Sequence, residues 1–122
     1  MSREIKFRGW HKGLNKWVYG FLTRNKNGVY YIENADSVYG IAEEKSVGQY
    51  TGLKDKHGTE IFDGDILAIN NTRYVVGYRE YSGGWQLEIK NEYCAEMVQG
   101  NCELLEVIGN IYEHKHLLEA TT

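Results

Sequence analysis

Residues 48–67, GQYTGLKDKHGTEIFDGDIL, decide the fold class, because turn-forming residues there punctuate short apolar runs. Val47 to Tyr50 reads as a short strand. Asp55-Lys56-His57-Gly58 then has the form of a type I turn, with Asp accepting local backbone hydrogen bonds and Gly taking a left-handed angle. Ile61 and Phe62 enter a core, and Asp63-Gly64 turns again into Ile66, Leu67 and Ile69. Two tight turns delivering apolar strands within twenty residues predict a β-rich chain.

Outward from this stretch the same punctuation continues. Asn70-Asn71 turns back into a strand from Tyr74 to Tyr78, and Gly83-Gly84 turns into Trp85, Leu87 and Ile89, which predicts a three-stranded antiparallel meander. From residue 91 to 99 the alternation fails, and a helical turn or a loop fits equally. Strand character returns over 104–111, and Asn110 is placed to cap a short helix over 111–119 with Ile111, Leu117 and Leu118 facing inward. Towards the N-terminus, Ile5 and Phe7 alternate with Lys6 and Arg8, and Trp17, Tyr19 and Phe21 share one face of a second strand. Asn25-Lys26-Asn27-Gly28 closes a hairpin into a strand over 29–33. Residues 34–45 are polar and little patterned, and read as a long loop or irregular strand, a candidate binding segment.

The bulk of the chain agrees with this reading and narrows function. Its 122 residues suit one domain over 1–122, here expected as an N-terminal β subregion at 1–46 packed on a barrel core at 47–111, with the helix at 111–119. Ten Tyr, three Trp and three Phe favour pleated surfaces and speak against disorder. The expected architecture is mostly β: a small SH3-like barrel or folded antiparallel sheet with an N-terminal β meander and a short C-terminal helix. A net charge of −3 with both signs interspersed lacks the basic footprint of a nucleic-acid binder. No apolar run approaches the roughly 20 residues that span a bilayer, and the N-terminus lacks a signal-peptide core. The expected location is therefore the cytoplasm, with no membrane partner.

Three blocks, SREIKFRGW at 2–10, SVGQYTGLKDKHGTEIFDGDIL at 46–67 and EVIGNIYEHKHLLE at 106–119, together resemble the YopX family of phage and prophage proteins. The resemblance implies a protein from a phage of a Gram-positive host, with a folded β-sheet or SH3-like barrel core. It brings no catalytic or binding residue with it. The chain departs from the family's usual pattern at His11, where an acidic residue often stands, and at His114-Lys115-His116, which replaces Asn-Pro-Glu.

The residue types that carry chemistry have plainer readings. Asp63 and Asp65 flank Gly64, but an oxygen-ligand cation needs six or more ligands, so turn chemistry accounts for them better. His114 and His116 lack a third ligand for zinc, and Cys94 and Cys102, eight apart, match neither a redox nor a zinc motif. No G-x-S-x-G elbow and no phosphate-binding glycine pattern occurs. Neither cofactor nor metal is expected, nor is enzymatic activity.

What remains is binding. Tyr78, Tyr81 and Trp85 border the Gly83-Gly84 turn with Arg79 close by, and form the candidate binding face. The expected function is a non-enzymatic protein-binding or adaptor module acting on a host or phage protein, with homo-oligomerisation an open alternative. A weak nucleic-acid-binding barrel is the next reading, and an enzyme of unknown reaction the third.

Overall fold

The computed structural model describes residues 4–80 and 83–119, with the backbone alone at 79 and 119. The chain divides into two compact units, Met1–Tyr50 and Thr51–Thr122. Both are built of antiparallel strands, and the protein is mostly β with two short α-helices.

In the first unit, β1 (Phe7–His11), β2 (Lys16–Arg24), β3 (Tyr30–Glu33) and β4 (Val38–Ile41) form a meander in the order β4-β3-β2-β1. The hairpin at 25–28 forms as its sequence requires. The Asn25 side chain accepts from the N–H groups of Asn27 and Val29, both at 2.9 Å, and Gly28 takes φ +86°. Residues 34–45, expected as a loop or irregular strand, instead contain the regular strand β4, followed by a single 3₁₀ turn at Glu44–Ser46. Ser46 Oγ accepts from Trp10 N–H at 2.9 Å. Strand β5 (Gly48–Lys54) pairs with β1 through Gly48 and Gln49 and carries the chain into the second unit. The core of the first unit is Val18, Ile32 and Ile41, with Phe7, Leu22, Tyr30, Tyr39 and Val47 against it. Gly9 leaves room for that core, since a Cβ there would lie 3.1 Å from the side chains of both Ile32 and Ile41.

The second unit continues with β6 (Glu60–Phe62), β7 (Asp65–Ile69), β8 (Thr72–Arg79), β9 (Gly84–Ile89), β10 (Glu92–Glu96), helix α1 (Gln99–Cys102), β11 (Glu106–Asn110) and helix α2 (His116–Glu119). The predicted meander is β7-β8-β9, in a five-stranded sheet ordered β10-β9-β8-β7-β11. Ile61, Leu67, Val76, Leu87, Met97, Cys102 and Leu105 make its core. Burying an aliphatic side chain fully contributes about 1.5–3 kcal/mol, so this cluster is the main apolar source of stability in the unit.

One expectation holds in its coarser form and two are corrected here. Among the described residues the sheet order is linear, with β10 and β11 as its two edges, so the antiparallel sheet is present without the pairing that would close it into a barrel. Alternation fixes which side chains share a face but not how far a sheet curls. Residues 92–96 form a strand, not a helical turn or loop: Lys90 and Asn91 adopt φ 53° and 66°, the two left-handed residues a tight hairpin demands. A register shift between Tyr93 and Ala95 breaks the alternation that would have revealed it. The terminal helix covers only 116–119, because the chain first makes a turn in which Asn110 accepts from Glu113 N–H at 2.8 Å, and Ile111 is exposed.

Candidate functional site

Strand β2 has apolar residues on both of its faces. Val18 and Leu22 turn towards the small core, so by strand alternation Trp17, Tyr19 and Phe21 lie on the opposite side. The register aligns Arg8 with Tyr19, Trp10 with Trp17, and Phe21 with Glu33. One end of this outer face is filled from within the unit. The Arg8 guanidinium lies 4.7 Å from the Trp17 ring centroid, Trp10 meets Trp17 edge-on at 5.4 Å, and Arg8 is only 8% exposed. The other end is open: Tyr19 is 42%, Ile5 54% and Phe21 68% exposed.

The open end is a cleft of about 590 Å³ lined by Ile5, Tyr19, Gly20, Phe21 and Ala35 together with the polar Glu4, Lys6, Glu33 and Asn34. Asn34 shapes its wall. Its side-chain oxygen accepts from Asp36 and Ser37 N–H at 2.9 and 3.2 Å, and its amide donates to the Tyr19 carbonyl at 2.8 Å. The turn is thereby tied to β2 beside the exposed rings. Gly20 is required by the same closeness, because a Cβ there would sit 2.2 Å from the Glu33 carbonyl oxygen, which is backbone and cannot move aside. Lys6 pairs with Glu4 at 3.5 Å and reaches over Tyr50 at 5.2 Å.

Of the face expected around the Gly83-Gly84 turn, the structure brings Tyr78 and Trp85 together as cross-strand partners, edge to face at 5.0 Å. Trp85 packs against the core cluster of the second unit, while Tyr78 remains 49% exposed. Tyr81 and the side chain of Arg79 lie outside the described residues.

Of the other candidate groups, Asp55, Asp65 and His114 accept backbone hydrogen bonds. Asp65 is buried and accepts from Phe62 N–H at 2.7 Å, in keeping with turn chemistry at Asp63-Gly64-Asp65. Asp55 is buried and accepts from the N–H groups of His57, Thr59 and Val107 at 2.8–2.9 Å. Burial pushes its carboxyl up, but the hydrogen bonds from Val107, Thr59 and His57, with the nearby His57 charge, outweigh that and hold it below its ordinary value. His57 also reaches Glu106 at 3.5 Å. His114 Nδ1 accepts from Asn110 N–H at 3.1 Å, and the His114 and His116 rings stand 6.3 Å apart. Among the described residues no three His, Cys, Asp or Glu side chains gather as a metal site. Cys94 is exposed and Cys102 buried; burial, with the charges of Asp55 and Glu103, pushes the Cys102 thiol up to about 11.

The cleft at Phe21 was not singled out by reading the sequence, yet a signal for it was present. Residues 17–22, WVYGFL, are apolar or glycine without interruption. A strand of that kind buries both faces or leaves one unsatisfied.

Comparison with known proteins places the chain in a family without adding an activity. A model of the YopX protein family matches residues 6–119. No curated protein matches the chain. Among solved structures, the crystal structure of protein EF1440 from Enterococcus faecalis is similar at 23% identity and a TM-score of 0.61, over 96% of this chain and 99% of that one. At that identity the likeness concerns the fold. Among the described residues, no helix is long and apolar enough to cross a membrane.

Proposed function

The chain belongs to the YopX family, and we propose that it is a non-enzymatic protein-binding module whose docking surface is the cleft on the outer face of β2. The observation that carries this reading is the exposure of Ile5, Tyr19 and Phe21 side by side around a cleft of about 590 Å³. Single exposed apolar residues are ordinary, but grouped aromatic and aliphatic side chains with a polar margin are the usual material of interfaces. The carboxylates in the lining, Glu4 and Glu33, disfavour a polyphosphate ligand and favour a protein one. In line with the phage or prophage origin that the family resemblance implies, the partner is a host or phage protein of the bacterial cytoplasm. Tyr78 beside Trp85 is a secondary face, with one ring committed to the core.

A photo-crosslinking residue at position 21, compared with one at the exposed Leu14, tests the reading in host cells. A discrete adduct at position 21 and none at position 14 is expected. Equal labelling from both positions, or none from either, would remove the cleft as the docking surface.

A further inference from the structure

The first unit places cations of its own over four of its rings. Arg8 lies over Trp17 at 4.7 Å, Lys6 over Tyr50 at 5.2 Å, Arg24 over Tyr30 at 5.4 Å and Lys16 over Tyr39 at 6.0 Å. The negative face of an aromatic ring draws positive charge in this way. Phe21, the most exposed ring of the unit, makes no ring or cation contact among the described residues. Directly opposite it on β3 stands Glu33, exposed, with a carboxylate that has no hydrogen bond or ion pair among the described residues.

Cross-strand partners have Cβ atoms about 5 Å apart, so the Phe21 ring and the Glu33 carboxylate border the same small volume. Lys6, the cation among the cleft residues, is engaged by Glu4 and by the Tyr50 ring. Glu33 is therefore left as uncompensated negative charge beside an unoccupied ring. Ile5 at the cleft and Val38, the cross-strand partner of Glu33, are both exposed and supply aliphatic surface for a methylene stem.

We propose that the cleft receives an arginine side chain from an extended segment of a partner protein. Its guanidinium stacks on Phe21 and pairs with Glu33, and its methylenes lie against Ile5. Arginine suits this pair because its planar, weakly hydrated head stacks on a ring and pairs with a carboxylate at once. The inference rests on the reading of the cleft as a docking surface and names the chemistry of what docks.

The test titrates the isotope-labelled full chain with three synthetic pentapeptides, acetyl-Val-Arg-Val-Arg-Val-amide and its citrulline and glutamate counterparts, followed by amide chemical shifts. The arginine peptide is expected to move resonances of residues 5, 19–21 and 33–35. It should bind about fivefold more tightly than the citrulline peptide, and less tightly as salt rises. Phe21→Ala and Glu33→Gln are each expected to weaken it roughly two- to fivefold, the range for a single exposed ring–cation or ion-pair contact. Both side chains are exposed, so both variants are expected to fold, which their circular dichroism spectra would check against the parent. Equal binding of the arginine and citrulline peptides, or indifference to Glu33→Gln, overturns the arginine inference and leaves the docking surface standing. No response to any peptide removes both. Shifts at these residues that grow with protein concentration alone and vanish in Phe21→Ala would assign the cleft to a second copy of the chain, and so overturn the inference.

Discussion

The two units spend their polar and aromatic residues in opposite ways. The second buries carboxylates, Asp55 and Asp65, and uses them to hold turns, while seven apolar residues make its core. The first has a smaller core cluster among the described residues, Val18, Ile32 and Ile41, and distributes its aromatics over both faces of β2 and its neighbours. A small core flanked by so many rings leaves some of them without a partner, and the cleft at Phe21 is where that surplus lies. The second unit thus holds its shape through satisfied polar groups, whereas the first offers surface.

Removing the Asp55 side chain tests the first half of this contrast and has the largest expected effect. Asp55→Ala leaves three backbone N–H groups without their acceptor, at about 1–3 kcal/mol for each that stays dry. A loss of about 3 kcal/mol or more in urea unfolding is expected, beginning where Val107 ties β11 to the turn. Asp55→Asn separates charge from shape. The native carboxyl titrates below its unfolded value of about 4, so its contribution is fully present above that pH and is lost as pH falls through the native value. The asparagine variant should be less stable at neutral pH and lose part of its acid sensitivity below about pH 4.

The two thiols give a smaller effect that reads the same unit without altering it. Cys94 is exposed, whereas Cys102 is fully buried with its thiol pushed up to about 11. Because the thiolate is the reactive species, a maleimide reagent at neutral pH should label Cys94 at least about a hundredfold faster than Cys102. In Asp55→Ala the gap should narrow, as opening of the unit exposes Cys102. An unchanged ratio would mean that Asp55 does not hold the region around Cys102.

Gly20→Ala turns to the first unit. The added Cβ meets the Glu33 carbonyl at 2.2 Å, and separating two paired strands costs roughly 1–3 kcal/mol. Amide shifts should spread over β2, β3 and the turn at Asn34, and the cleft should lose its shape along with them. A variant as stable as the parent would show that the strands give way there easily.

How much of this was legible beforehand follows from what kind of information each feature needs. The turns at 55–58 and 63–64 and the meander over 66–89 were readable because they rest on local chemistry: a side chain that hydrogen-bonds its own backbone, or a glycine at a positive φ. Strand β10 was hidden by its bulge and by a Lys-Asn pair doing the work usual for Asn-Gly, and β4 by its brevity. That Asp55 also accepts from Val107, 52 residues away, is a long-range fact absent from any local pattern. The cleft lay between these cases. Its apolar double face was visible in residues 17–22, but which face would be covered depends on strand register and on where Arg8 and Trp10 fall.

The sharpest comparison is between Trp17 and Phe21, two rings on the same face of the same strand, four residues apart. Trp17 is packed: Arg8 covers it, Trp10 meets its edge, and it is half-buried. Trp17→Ala should therefore cost roughly 1–3 kcal/mol, because it removes buried ring area and strips the cover from a buried guanidinium. Phe21→Ala removes a ring that meets no other ring among the described residues and should move stability by less than about 0.5 kcal/mol, as surface substitutions do. Thermal or urea unfolding of the two variants decides it. If Phe21→Ala cost as much as Trp17→Ala, Phe21 would belong to the packing of the fold, and the cleft would lose its claim to be a surface kept for a partner. If it costs nothing while abolishing the photo-adduct or the peptide response, an aromatic ring exposed at no benefit to stability has its explanation in binding.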